Sequence, residues 1–247
     1  PRARAAAFRT AFGAHDLLWG ISHRTSTDEL ISTAPILTVS PPRFTEHGTG
    51  LFIHDDWTLI PERLQLGLGA RWEDSKLGGT TFAPGATLMW TPSRGQNLWA
   101  KLARAPRVPA RGEYHFSAIT TVVPPTTLIR TRTPQRDLDP ETMDSLELGY
   151  RTHVAAGLNL NLTAYRQRYR DRVSGEMTGI VPFPPYTIMD IAVCNCAGGW
   201  INGVELAADW LVTPNGRLQL SLTTTQIDMD TALTPVAANE NSNQEKR

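Results

Sequence analysis

Apolar and polar residues alternate one for one along most of this chain, the period of a strand whose two faces meet different surroundings. Residues 64–73 show it most cleanly. Leu64, Leu66, Leu68, Ala70 and Trp72 fall on one face, and Gln65, Gly67, Gly69, Arg71 and Glu73 on the other. Residues 146–154 repeat the pattern, with Leu146, Leu148, Tyr150 and Val154 set against Glu147, Gly149, Arg151 and His153. So do 158–163, 218–223 and 204–210, the last with Glu205 and Asp209 on its polar face. Less regular extended segments at 3–12, 17–25, 51–60, 81–91 and 98–105 bring the expectation to about ten strands. Asp55 is a blemish, falling on the face of Leu51, Ile53, Trp57 and Leu59.

The links between these segments alternate in length. Those at 13–16, 60–63, 92–96, 155–157 and 213–216 are short and carry the Gly, Pro and Asn of tight turns. Those at 26–50, 106–140 and 172–199 are long, and 75–80 alone is short where a long one is due. In an up-and-down antiparallel sheet every second link lies at the same end, so the tight turns gather at one end and the long loops at the other. Outer-membrane barrels have this layout. Trp57, Trp90 and Trp210 each stand shortly before a tight turn, and Trp19 shortly after one, all on apolar faces. An aromatic girdle at one membrane interface would place them so. The competing explanation is that Trp is simply common in strands.

The chain has 247 residues, with 24 Lys and Arg against 24 Asp and Glu and no net formal charge. That balance argues against a general nucleic-acid binder. No apolar run reaches the length of a membrane helix, but a membrane-spanning strand hides its apolar face in every second residue. Two cysteines exclude a disulfide-dense scaffold and a four-thiolate zinc site. The chain starts at Pro1 without a signal segment and ends in the polar run 239–247, which reads as solvated loop; both ends look cut from something longer.

A soluble β-sandwich alternates too. The bilayer is favoured by the Leu, Ala, Val, Trp and Tyr of the apolar face, by the small or ionisable residues of the polar face, and by the unequal ends. Arg166, Arg168 and Arg170 share a face with Leu158, Leu160 and Leu162 but lie toward the long-loop end. A charge costs little at that depth, and guanidinium groups there could meet lipid phosphates. The expected fold is all-β: an antiparallel up-and-down transmembrane β-barrel segment.

Several segments, in order, resemble the C-terminal barrel of TonB-dependent outer-membrane receptors. They are Phe52-Ile53-His54-Asp55-Asp56-Trp57 with Leu66-Gly67-Leu68-Gly69-Ala70-Arg71, then Arg104-Ala105-Pro106-Arg107-Val108-Pro109. Leu138-Asp139-Pro140-Glu141-Thr142 with Ser145-Leu146-Glu147-Leu148-Gly149-Tyr150 follows, then 165–171 and Asn202-Gly203-Val204-Glu205-Leu206. The resemblance implies that residues 1–247 are part of a barrel of about 22 strands. It also implies a bacterial outer-membrane location and active uptake of a scarce nutrient, most often a ferric siderophore. The implied partners are outer-membrane lipid and lipopolysaccharide, the protein's own plug domain, the TonB inner-membrane complex and a small-molecule chelate. The plug, the TonB-contacting N-terminal box and the remaining strands are not in this sequence. The lumen-facing set Gln65, Arg71, Glu147, Arg151, Glu205 and Asp209 would hold the plug.

The long loop 106–140 holds Arg107, Arg111, Glu113, Tyr114, His115, Arg130, Arg132 and Arg136, a local basic surplus within a neutral chain. Guanidinium forks and aromatics suit an anionic chelate; pairing between loops, or with lipopolysaccharide, explains them equally. Cys194 and Cys196 are expected in a loop, as a disulfide or as unpaired thiols. His54 and Asp56 share a strand face, too small a set for a metal site. No phosphate loop, nucleophile elbow or zinc-protease motif occurs, so no catalytic residue, cofactor or metal is assigned. The alternatives are a passive porin-like barrel, separable by plug sequence upstream, and a soluble secreted β-sandwich binding glycans through its loops. A soluble hydrolase centred on His54 and Asp56 is the remaining one.

Overall fold

The computed structural model describes residues 2–32, 36–123, 127–132, 137–155 and 157–230. Arg136 and the polar run 239–247 lie outside them. Ten long strands form an up-and-down meander: β1 (Arg2–Phe12), β2 (His15–Glu29), β4 (Arg43–Ile60), β5 (Leu64–Ser75), β6 (Gly79–Trp90), β7 (Gln96–Arg107), β10 (Glu141–Ala155), β11 (Leu158–Phe183), β12 (Tyr186–Thr213) and β13 (Gly216–Met229). Between them lie β3 (Leu37–Val39), the helix α1 (Arg111–His115), β8 (Phe116–Val123) and β9 (Thr127–Arg132). The sheet is open, with β1 at one edge and β13 pairing β12 at the other.

The register carries one apolar face across all ten strands, because directly opposed residues share a face. Trp57 stands opposite Leu66, then Leu88, Ala100, Leu148, Ala164 and Val204. The reverse face is polar: Asp56, Gly67, Thr87, Lys101, Glu147, Tyr165 and their neighbours. Leu68, Leu102, Leu148, Leu162, Leu220 and Leu222 are exposed, with nothing packed over them. The buried apolar side chains Val39, Phe44, Leu138, Ile188, Ile191 and Ala192 all lie at the end away from the tight turns. Among the described residues no second layer covers the meander, so the β-sandwich alternative fails.

The register also gives the tilt. Trp90 lies two residues nearer the tight turns than Leu88, the residue in Trp57's row two strands away. Trp210 lies six residues nearer than Val204, six strands away. The strand ends step likewise, Ile60 lying three residues past Trp57 and Thr213 nine residues past Val204, so the stagger is one residue per strand, which with a 3.3 Å rise and 4.8 Å spacing tilts the strands by about 35°. Trp57, Trp90 and Trp210 therefore stand at one height. Trp19 does not. It faces Ile53, about three residues higher once the stagger is counted, and stacks on Phe8 with centroids 4.6 Å apart.

Above that height the outward face stays mainly apolar until His23, Thr49, Asp74, Thr80, Arg104, Asp144, Arg166 and Asn202. These lie about seven to ten residues up, or about 19–27 Å along the barrel axis. A hydrocarbon core requires a band about 25 Å tall. Asp55 is the exception inside it, and it is paired: His15 Nδ1 lies 2.7 Å from its Oδ2, with His15 stacked against Phe12 and Trp57.

The long links, read from the sequence as loops, carry strands and a helix among the described residues. Residues 172–199 continue β11 and β12 as one hairpin that turns at Pro184 and Pro185. β9 pairs β12 in parallel there, β8 pairs β9, and β3 pairs β8. Residues 188–192 have lost alternation because β12 is central in this upper sheet and covered on both faces, with Ile188, Asp190, Ile191 and Ala192 all buried.

Candidate ligand-binding mouth

The elements above the apolar band form a mouth in which α1 is the central clamp. The Tyr114 hydroxyl shares its one proton between the carbonyls of Leu138 (2.6 Å) and Leu77 (2.9 Å), tying α1 to the segment entering β10 and to the β5–β6 turn. Burial pushes its pKa above the ordinary phenol value. His115 packs against Phe44 at 4.8 Å and its carbonyl accepts from Ser40 N. Burial, and then the charges of Arg111 and Lys76, push the His115 pKa down. A cavity of about 480 Å³ opens beside this clamp, lined by Lys76, Leu77, Tyr114, His115, Asp137 and Asp139 among others.

The arginines expected to greet an anion are largely engaged by carboxylates of the same chain. Arg107 bridges Glu141 (2.7 Å) and Glu113 (2.8 Å). Arg111 pairs with Asp28 and donates to the carbonyls of Pro41 and Pro42. Arg130 makes a two-pronged bond to Asp190, at 2.6 and 2.9 Å, which holds that buried carboxyl below the usual range. Arg132 touches the same carboxylate only at 3.4 Å, and its side chain is 55% exposed. It is the freest of the four. The partners Asp28 and Asp190 were not singled out in the sequence, where Asp190 is sixty residues from Arg130 and only the parallel β9–β12 pairing unites them.

Cys194 and Cys196 lie on β12 rather than in a loop, joined by a disulfide of 2.01 Å. They border a second cavity, about 530 Å³, whose walls include Asp137, Asp139, Asp171 and Glu176. The mouth is thus a mosaic of both signs.

Below it, the six residues predicted to line the lumen all fall on the polar face. Arg71 donates to Glu73 at 2.9 and 3.1 Å. Glu147 accepts from Trp99 Nε1 at 2.8 Å, and Arg151 lies 6.0 Å from the same indole ring. Asp209 accepts from Arg217 Nε at 2.7 Å. Gln65 and Glu205 complete the face opposite Thr58 and Thr163. Trp99 was missed, and its alternation within 98–105 placed it there. His54 and Asp56 meet at 3.2 Å, both well exposed. Among the described residues no group of three metal-ligating side chains converges.

A tilted, one-layer antiparallel wall with one apolar and one polar face is the geometry of outer-membrane barrel walls in general. The sequence matches the family described as TonB dependent receptor-like, beta-barrel, over residues 3–245. The chain belongs to this family. This receptor barrel superposes on the siderophore receptor PirA from Pseudomonas aeruginosa with a TM-score of 0.78 at 19% identity, covering 92% of this chain and 43% of that one. PirA from Acinetobacter baumannii gives 0.70 at 14%, covering 92% and 36%. The outer membrane transporter YddB from Escherichia coli gives 0.62 at 11%, covering 91% and 33%. No curated protein matches the sequence. The receptor-barrel chain spans less than half the length of these structures. It is a bacterial outer-membrane barrel wall, and its family is one of receptors rather than enzymes.

Proposed function

We propose that this chain is part of the barrel of a receptor that actively imports a ferric siderophore or similar chelate. The observation that carries the reading is the family match over 3–245, joined to a folded mouth above the apolar band. Solved relatives named as siderophore receptors, two of PirA and others of the ferric enterobactin receptor PfeA, support the substrate class. In this reading the polar face, with Gln65, Arg71, Glu147, Arg151, Glu205 and Asp209, packs against a plug domain. The TonB inner-membrane complex then supplies the energy. Arg132 is the exposed guanidinium for an anionic chelate, and the mixed-sign mouth leaves the rest of the recognition to apolar and hydrogen-bonding contacts. The test is uptake of radiolabelled ferric chelates by iron-starved cells that depend on the full-length protein. Saturable uptake that collapses when the proton gradient is discharged is the expected result. Uptake that is linear in concentration and indifferent to the gradient would make it a passive pore.

A further inference from the structure

The outward face of the wall carries a groove that neither the mouth nor the lumen uses. It holds about 870 Å³ between β6 and β12. Its lower wall is apolar, built by Pro84, Ala86, Leu102 and Leu146, and its upper wall is cationic, built by Arg104, Arg166 and Arg168 around Trp200. The register puts Arg104, Arg166 and Arg168 on the lipid-facing side, in line with Leu102, Leu146 and Leu162. Arg166 and Arg168 lie 4.2 and 5.2 Å from the Trp200 ring centroid, and Arg168 is opposite Asp144 and Trp200. The one carboxylate here, Asp144, bonds to Arg104 Nε at 2.7 Å and to Arg170. A guanidinium stacked on an indole keeps its N–H edge free for an acceptor.

Height decides what the acceptor is. Counted with the one-residue stagger, Arg104 and Arg166 stand about 19 Å, and Arg168 about 24 Å, above the Trp57–Trp210 level. That is the opposite interface, where lipid phosphates lie. We propose that the groove holds a phosphate-bearing lipid of the outer leaflet. Its phosphate sits on Arg166 and Arg168, and an acyl chain runs down the Leu102–Leu146 channel. The proposal rests on the placement of the wall in the outer membrane and not on the identity of the imported ligand, so lipid binding and chelate uptake can fail separately.

The experiment uses full-length receptor purified in mild detergent and native mass spectrometry. Wild type should retain a phosphorylated glycolipid that R166Q/R168Q, folded by its heat-modifiable migration, loses about tenfold. Wild type in vesicles should be protected from arginine-specific modification at 166 and 168 by the phosphorylated lipid, and not by the same lipid after enzymatic dephosphorylation. That second arm stands if the variant does not fold. Equal retention by the variant, or equal protection by both lipids, overturns the proposal. Protection by inorganic phosphate alone, matching that by lipid, also overturns it, because the acyl channel would then contribute nothing.

Discussion

Trp57 and Trp210 stand six strands apart, and six residues separate Trp210 from the residue in Trp57's row. This unit stagger makes two distant indoles level, and it turns a flat register into heights above a membrane plane.

Leu148 lies midway up the apolar band and is 52% exposed. Leu148→Arg should destabilise the full-length barrel by about 2–4 kcal/mol, while Arg166→Leu at the upper rim should change stability by less than about 1 kcal/mol. Denaturant midpoints of receptor folded into vesicles measure both. Equal effects would mean that the two positions share one environment.

Gly149 is where the Trp99 ring lies against the wall. A Cβ there would come within 2.0 Å of the indole. Gly149→Ala should displace Trp99, break its 2.8 Å bond to Glu147 and cost about 1–3 kcal/mol. Combining it with Trp99→Ala should cost less than the sum of the two single changes, a coupling that a double-mutant cycle reads directly.

Asp190 gives the upper sheet a pH limit. Its folded pKa is depressed, chiefly by the Arg130 bond, so the carboxylate's contribution is fully present above the ordinary value of about 3.9 and is lost as pH falls through the lower folded value. Protection of the Thr127–Arg132 amides, taken as exchange relative to the intrinsic rate at each pH, should therefore fall as pH drops from about 5 toward 2. Asp190→Asn should bring that loss of protection to neutral pH and abolish its acid dependence.

Arg132→Ala and Arg130→Ala should separate binding from folding. Arg132 is exposed and makes only a long contact to Asp190, so its loss should weaken an anionic ferric chelate about tenfold and leave exchange in β9 unchanged. Arg130→Ala should release β9 from β12. Titration of the full-length receptor, paired with exchange, tests both.

The strands and their two faces were legible because a spanning strand must repeat apolar and polar every second residue, and 64–73 or 146–154 allow no other register. The height of Trp19 was not, since stagger is a property of neighbours and not of one strand. Nor was the upper half of β12: residues 188–193 read as a loop because a strand covered on both sides no longer alternates. At the mouth, counting arginines gave a basic surplus, but charge balance is set across strands. Arg107 finds Glu141 thirty-four residues on, and Arg130 finds Asp190 sixty residues on.

The β11–β12 hairpin runs on for fifteen residues of β11 past Arg168, a contour of about 50 Å at 3.3 Å per residue. Among the described residues the Pro184–Pro185 tip lies farthest along these strands from the apolar band. The arginine-lined groove lies at the foot of the same strands, so one continuous ladder joins the tip of this hairpin to the upper edge of the apolar band.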